Sequence, residues 1–302
     1  MRLIFAGTPD AAVPALEAFA ASQHEIVRVV TRPPAPLGRK RVVMPSPVHA
    51  AADRLGLPVL PAARLDADAT ARLTADAADL AVVVAYGGLV REPLLSAPVH
   101  GWINLHFSLL PRWRGAAPVQ HALIAGDRTT GVDVFRLEAG LDTGPVVARE
   151  AVPIVPDETA AALLPRLAGI GARVLAAAVD RIADGSAAFA PQAGAATAAP
   201  KLSLDDGRLD WTLPAQRVHD RYRGCTPEPG AWTTAGERRL KVLEAALAPE
   251  AALDPGELGG EREVLVGCGE GALPLLRVQP EGRGAMPAAD WRRGLGAAVR
   301  LS

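Results

Sequence analysis

The chain has 302 residues, 49% hydrophobic and 22% charged, the balance of an ordinary folded protein about two domains long. Wholesale disorder is excluded, and a net charge of −1 gives no bulk attraction to nucleic acid or to a membrane surface. No uninterrupted apolar run reaches the roughly 18 residues of a membrane span, the opening is too short in apolar residues for a signal peptide, and Cys225 and Cys268 alone can build neither a disulfide framework nor a four-ligand zinc site, so a cytoplasmic protein with no structural metal and no membrane partner is expected.

Arg2 to Ala6 is a short apolar run that stops at Gly7, the pattern of a buried parallel strand. Thr8-Pro9-Asp10 then reads as a helix start, with Thr8 as cap and Val13, Leu16 and Phe19 as the buried stripe. Ile26 to Val30 is a second strand. Ser46-Pro47 opens another helix, with Val48, Ala51 and Leu55 on one side and Gly56 at its end. Val59-Leu60, Leu80 to Val84, Ile103 to His106 and Gly131 to Leu137 continue the series of strands. Strand and helix alternate in the way of a doubly wound, mostly parallel α/β domain. A long helix follows, capped by Asp157, with Leu163, Leu164, Leu167, Ile170, Val174, Leu175, Val179 and Ile182 at helical spacing, an early Pro165 and a closing Gly185. Ser186 to Pro200, rich in Ala, Gly and Pro, reads as a linker. Beyond residue 205 short β-like pieces (239–243, 263–266, 273–278) between Gly-rich turns predict a small β-rich domain, a barrel in outline. The expected organisation is a doubly wound first domain over 1–185, a linker over 186–204 and a second domain over 205–302.

Gly7-Thr8-Pro9-Asp10 stands where a dinucleotide-binding fold carries G-x-G-x-x-G, but lacks the second and third glycines, which argues against a nicotinamide enzyme. The segment richest in chemistry is Asn104 to Pro118. Asn104 and His106 are two apart, so at a strand end both side chains share one face. An amide can stabilise an oxyanion and an imidazole can move a proton near neutral pH, a pair suited to acyl chemistry. A structural histidine with a satisfied partner would show the same pattern. Asp142, between Gly140 and Gly144, could orient and charge-stabilise that imidazole, or it could be an ordinary turn aspartate.

Asn104-Leu105-His106, Ser108-Leu109-Leu110-Pro111 with Arg114-Gly115-Ala116-Ala117-Pro118, and Gly140-Leu141-Asp142-Thr143-Gly144 together resemble the formyltransferases that use 10-formyltetrahydrofolate. Gly7-Thr8-Pro9-Asp10, Met44-Pro45-Ser46-Pro47, Val82 to Gly87, Lys201-Leu202-Ser203 and Asp210-Trp211 narrow the resemblance to the branch acting on methionyl-tRNA, and it extends to Gln279-Pro280-Glu281-Gly282 and Ala285-Met286. The resemblance implies a catalytic trio of Asn104, His106 and Asp142, and a tetrahydrofolate pocket lined by Ser108, Leu109, Leu110 and Pro111. It implies 10-formyltetrahydrofolate as formyl donor, charged initiator tRNA as acceptor, no metal, and an OB-like C-terminal barrel touching the tRNA. A monomer is expected, although the sequence itself does not give the oligomeric state. The Arg32 to Arg41 loop, with four cations and three prolines, matches the family's insertion against the acceptor end of the tRNA, which points to Arg39, Lys40 and Arg41.

Two departures stand out. Bulky Phe107 follows His106 where the family has a small residue. Residues 205–302 hold 13 Lys and Arg against 15 Asp and Glu, so any phosphate contact there must be local, at Arg217, Arg221 and Arg223, at Arg238, Arg239 and Lys241, or at Arg292 and Arg293, charges that a plain solvated surface would equally carry. The sequence leaves open a formyltransferase for a small amine such as a nucleotide-linked amino sugar, a hydrolase of 10-formyltetrahydrofolate, and a non-catalytic RNA-binding relative.

Overall fold

The computed structural model describes residues 1–37, 41–248, 250–260, 263–295 and 299–302, with Leu37 described by its backbone alone. The chain folds as two compact units: Met1–Pro118, Thr129–Pro153 and Leu164–Pro200 form the first; Val119–Arg128, Ile154–Leu163 and Lys201–Ser302 form the second.

The first unit is built on β1 (Arg2–Gly7), whose last five residues are all buried. Such a strand can exist only where both faces of the sheet are covered, which is why it reads as one apolar run. The chain goes on through α1 (Val13–Ala20), β2 (Glu25–Thr31), a small hairpin of β3 (Ala35–Leu37) and β4 (Val42–Met44), α2 (Pro47–Arg54), β5 (Val59–Pro61), α3 (Ala67–Ala75), β6 (Leu80–Val84) and β7 (Trp102–His106). After α4 (Pro118–Ala125) come β8 (Thr129–Arg136), β9 (Val146–Pro153) and the long α5 (Ala160–Ala183). The seven strands lie in the order β5-β2-β1-β6-β7-β8-β9. The first five are parallel; β8 pairs antiparallel with β7, and β9 antiparallel with β8. Strand order reverses between β1 and β6, the topological switch beside which open α/β sheets place their ligands.

One face of this sheet is packed with Ile4, Ala6, Val30, Leu73, Ala81, Val83, Tyr86, Leu94 and Trp102. Trp102 is fully buried because its indole N–H reaches Leu94 O at 2.8 Å. Ser46 caps α2 by accepting from His49 N at 3.1 Å, and Asp66 caps α3 through Ala69 N at 3.0 Å. The predicted cap at Thr8 is not made. A 3-10 turn over Asp10–Ala12 precedes α1, and the Thr8 hydroxyl donates instead to Tyr86 O at 3.3 Å. Leu55, expected on the buried side of α2, is 36% exposed, because the helix has ended one residue earlier. Asp157 is likewise not a helix cap: its backbone is left-handed, at φ 63°, and α5 starts three residues later.

By length and composition, α5 could cross a membrane, yet half of its most apolar stretch is buried inside the protein. Leu163, Leu167, Val174, Leu175, Val179 and Ile182 form the buried stripe, while Arg173, Asp180 and Arg181 face outward. Residues 186–200, which read as a linker, are tied into the first unit. Ala190 bridges to Val146 and Ala198 bridges to Arg114. Small side chains let this strip lie close to the sheet edge without adding bulk.

The second unit contains α6 (Ala215–Cys225), β10 (Trp232–Ala235), β11 (Arg238–Ala245), β12 (Leu258–Gly259), β13 (Val264–Gly267), β14 (Ala272–Pro280), β15 (Met286–Pro287) and α7 (Ala288–Arg293). Its strands curl into an antiparallel half-barrel in the order β10-β11-β14-β13-β12, with β15 added to β14. Leu209, Trp211, Val218, Tyr222, Val242, Val266 and Trp291 belong to its core. Cys225 and Cys268 lie there as free, buried thiols whose pKa values burial pushes up to about 11 and about 12, so they stay protonated.

Candidate active site

β7 ends at His106, at the carboxyl edge of the parallel strands. Leu105 faces α5, where a Cβ on Gly171 would lie 2.7 Å from the leucine Cδ2, so only glycine lets the helix come this close. Alternation then sends Asn104 and His106 to the opposite face together, as their spacing predicts.

His106 is 5% exposed. Its Nε2–H donates to Trp113 O at 2.9 Å, which leaves Nδ1 facing Asp142 Oδ2 at 3.9 Å. Phe135 meets the imidazole edge-on, with ring centroids 6.2 Å apart. Burial pushes the His106 pKa below its ordinary value, and the Asp142 charge and the Trp113 carbonyl pull part of the way back. The imidazole is therefore neutral near pH 7, with its lone pair on the Nδ1 that faces the carboxylate. Trp113 sits at φ 62°, a left-handed conformation that a bulky residue adopts only when held. It is held at both ends: its N–H donates to Thr197 Oγ1 at 2.9 Å, and its carbonyl accepts from His106.

Asp142 is 8% exposed at φ 51°, and its Oδ2 accepts from Gly115 N at 2.7 Å. Gly115 is at φ 128°, and a Cβ there would come within 2.5 Å of Ala199 O. Gln192 Nε2 donates to both Asp142 O at 2.8 Å and Gly144 O at 2.9 Å, while Arg114 Nη2 holds the Gln192 oxygen at 2.6 Å. The carboxylate is thus placed by its own loop, by the 112–118 loop and by the 186–200 strip. Asn104 is the odd member: its Oδ1 is buried and has no hydrogen-bond partner among the described residues. An unsatisfied buried carbonyl costs about 1–3 kcal/mol and marks a place where a ligand group is expected.

The Ser108–Pro111 turn lies on the same face. Ser108 is fully buried and its hydroxyl donates to Arg112 O at 2.6 Å, so this side chain braces the turn from within. Leu110 and Pro111 are also buried, and Leu109 is the partly exposed side chain of the four. A Cβ on Gly131 would reach within 2.6 Å of Leu109 Cδ2 and 2.2 Å of Glu150 O, so β8 has glycine where the turn rests on it. Arg39 and Lys40 lie outside the described residues; Arg41 is exposed, at φ 48°.

Sequence reasoning missed Thr197, Gln192, Asp133 and Arg149. Asp133, on β8, is fully buried and paired in register with His106. Burial raises its pKa, and the Arg149 guanidinium counters that. The available signal was a charged residue between Val132 and Val134 in a strand with no solvent-facing side.

Residues 1–179 match the formyl transferase family, and residues 201–296 match the formyl transferase C-terminal domain. The methionyl-tRNA formyltransferase of Clavibacter sepedonicus is 57% identical over 297 residues, spanning 98% of this chain and 97% of the relative. That of Paenarthrobacter aurescens is 53% identical over 303 residues, spanning 100% and 99%. The crystal structure of an N-formyltransferase from Helicobacter canadensis with folinic acid and dTDP-3-aminofucose superposes with a TM-score of 0.68 at 16% identity, over 90% of this chain and 98% of that one. At that identity the likeness is one of fold.

Proposed function

Because the chain belongs to the formyl transferase family, in its methionyl-tRNA formyltransferase branch, we propose that Asn104, His106 and Asp142 carry out formyl transfer to the α-amine of methionyl initiator tRNA. The protein is a formyltransferase of translation initiation that takes its formyl group from a tetrahydrofolate. We take the donor to be the 10-formyl form, with no metal in the reaction. When bound, it supplies a formyl group already activated for attack.

The observation that carries the site assignment is the buried, unpartnered Asn104 Oδ1 two residues from an imidazole whose Nδ1 faces a carboxylate. Asn104 Oδ1 is the acceptor for an N–H of the attacking amine, and its Nδ2 is the donor for the oxygen that becomes negative in the tetrahedral intermediate. His106 Nδ1 takes the proton the amine loses, because Nε2 is already committed to Trp113 O. Asp142 stabilises the imidazolium so formed, and Nδ1 returns the proton to the departing folate nitrogen. The face of the turn at Ser108, Leu109, Leu110 and Pro111 is the folate wall, touched through Leu109 and the backbone.

Formyl transfer from 10-formyltetrahydrofolate is measured with charged initiator tRNA, free methionine, an amino-sugar nucleotide and water as competing acceptors. Formylation of the tRNA alone is expected; preferential transfer to the sugar or to water would sink the reading. The basic loop adds a second expectation. If Arg39, Lys40 and Arg41 meet tRNA phosphates, each contact contributes roughly 0.9 to the salt slope of binding, as for a duplex. Arg39→Ala should then weaken tRNA formylation and flatten its salt dependence with folate affinity unchanged, and an unaltered slope and rate would remove that residue from the interface.

A further inference from the structure

Asp133 has two cross-strand neighbours in register, His106 on β7 and Arg149 on β9. Residues directly opposite in antiparallel strands project on the same face, so imidazole, carboxylate and guanidinium form one row across three strands. Asp133 Oδ1 accepts from Arg149 Nε at 2.7 Å. Asp133 Oδ2 accepts from Arg149 Nη2 at 2.6 Å and from Leu110 N at 2.8 Å. Arg149 Nη2 also donates to Leu110 O at 2.5 Å. One ion pair therefore grips both the N–H and the C=O of a single residue in the Ser108–Pro111 turn. The residue before it, Leu109, rests on Gly131, two positions from Asp133 on the same strand face. The turn is fastened to β8 at two consecutive residues.

Bulk stabilisation alone is a weak reason for this arrangement, since a buried ion pair is often no better for stability than apolar residues of similar volume. What it supplies is geometry. The guanidinium fork fixes two directions at once, which neither a lysine nor an apolar side chain reproduces. We propose that Asp133 and Arg149 are positioning residues that hold the Leu109–Leu110 turn in the conformation that accepts the folate, in register with His106. The inference rests on the reading of that turn as the folate wall. Neither residue needs to touch the substrate; both act through the backbone of Leu110.

The test uses the full chain and the variants Arg149→Met, which keeps the stem and removes the fork, and Arg149→Lys, which keeps the charge. The Kd for 5-formyltetrahydrofolate is measured by titration calorimetry, alongside the KM for donor, the KM for charged tRNA, and Tm. Arg149→Met is expected to weaken folate binding and raise the donor KM on the order of tenfold, the scale on which small misplacements act, with the tRNA KM unchanged. Arg149→Lys is expected to fall between Met and the wild type. If Arg149→Met does not fold, the double variant Asp133→Asn/Arg149→Met carries the same test, because it removes the uncompensated charge and keeps an acceptor for the Leu110 N–H. A folate Kd equal to wild type in a folded variant, or equal weakening of donor and tRNA, would overturn the proposal. A wild-type chain that binds no folate and transfers no formyl group would instead overturn the functional reading beneath it.

Discussion

Asn104→Ala is expected to lower kcat for tRNA formylation by on the order of 10²–10³, the usual loss when one oxyanion donor is removed, and to leave Tm equal to or above that of the wild type. The two halves of the result have one origin. Asn104 Oδ1 is buried without a partner, so the folded protein carries an unsatisfied carbonyl that alanine does not have. Removing it relieves a desolvation penalty in the free protein and deletes the group that the reaction uses, a stability–activity trade-off at one side chain. His106→Ala should show a rate loss of the same order, but with a lower Tm, since it empties the space beside Phe135 and removes the Nε2–H bond to Trp113 O. Steady-state kinetics and thermal melting check both. An Asn104→Ala variant that keeps more than about half the wild-type rate would remove the amide from the mechanism.

Asp142→Asn separates charge from shape. An asparagine Oδ1 can still accept from Gly115 N, and the Gln192 bonds go to backbone carbonyls, so the loop has no reason to move. The carboxylate charge is lost. In the wild type that charge favours imidazolium and burial opposes it, with burial the larger effect, so the acid limb of kcat/KM lies below the ordinary histidine value of about 6.5. Activity needs the neutral imidazole and is lost as pH falls through the His106 pKa. Losing the Asp142 charge takes away an attraction that raises this pKa, so the limb moves to lower pH. The plateau rate falls on the order of 10²-fold, the lower end of the general acid–base range, because the imidazolium at Nδ1 is no longer stabilised. A limb that stays in place or moves to higher pH would mean that Asp142 only shapes its turn.

Much of the fold could be read directly because buried parallel strands have no polar side to disguise them. β6 is an unbroken apolar run and β1 is one after Arg2, and both were legible nearly to the residue. β9 was not: at the sheet edge its sequence, Val146 to Pro153, mixes exposed and buried positions, and charges at Arg149 and Glu150 hide the strand. The errors at Thr8 and Asp157 are of another kind. Both residues have the chemistry of a cap, but tertiary partners and a left-handed backbone decide otherwise. For the site, the spacing of Asn104 and His106 gave their common face, whereas the role of Asp142 came from resemblance. Trp113, Thr197 and Gln192 act through backbone groups and over separations of up to 84 residues, where no local pattern points to them.

The way the second unit recruits its parts bears on any attempt to excise it. Its strips 119–128 and 154–163 come from the middle of the chain, between stretches that belong to the first unit. A Cβ on Gly224 of α6 would lie 2.7 Å from Gln120 O, and one on Gly126 would lie 2.9 Å from Asp220 Oδ2. Arg217 and Arg223 donate to the carbonyls of Ala125 at 3.2 Å and Glu158 at 3.3 Å. A fragment starting at Lys201 would keep the buried Asp220–Arg223 pair and lose the backbone that roofs it. The boundary that looks natural along the sequence is thus a poor place to cut, and a chimera between relatives would have to transplant three separate stretches of chain together.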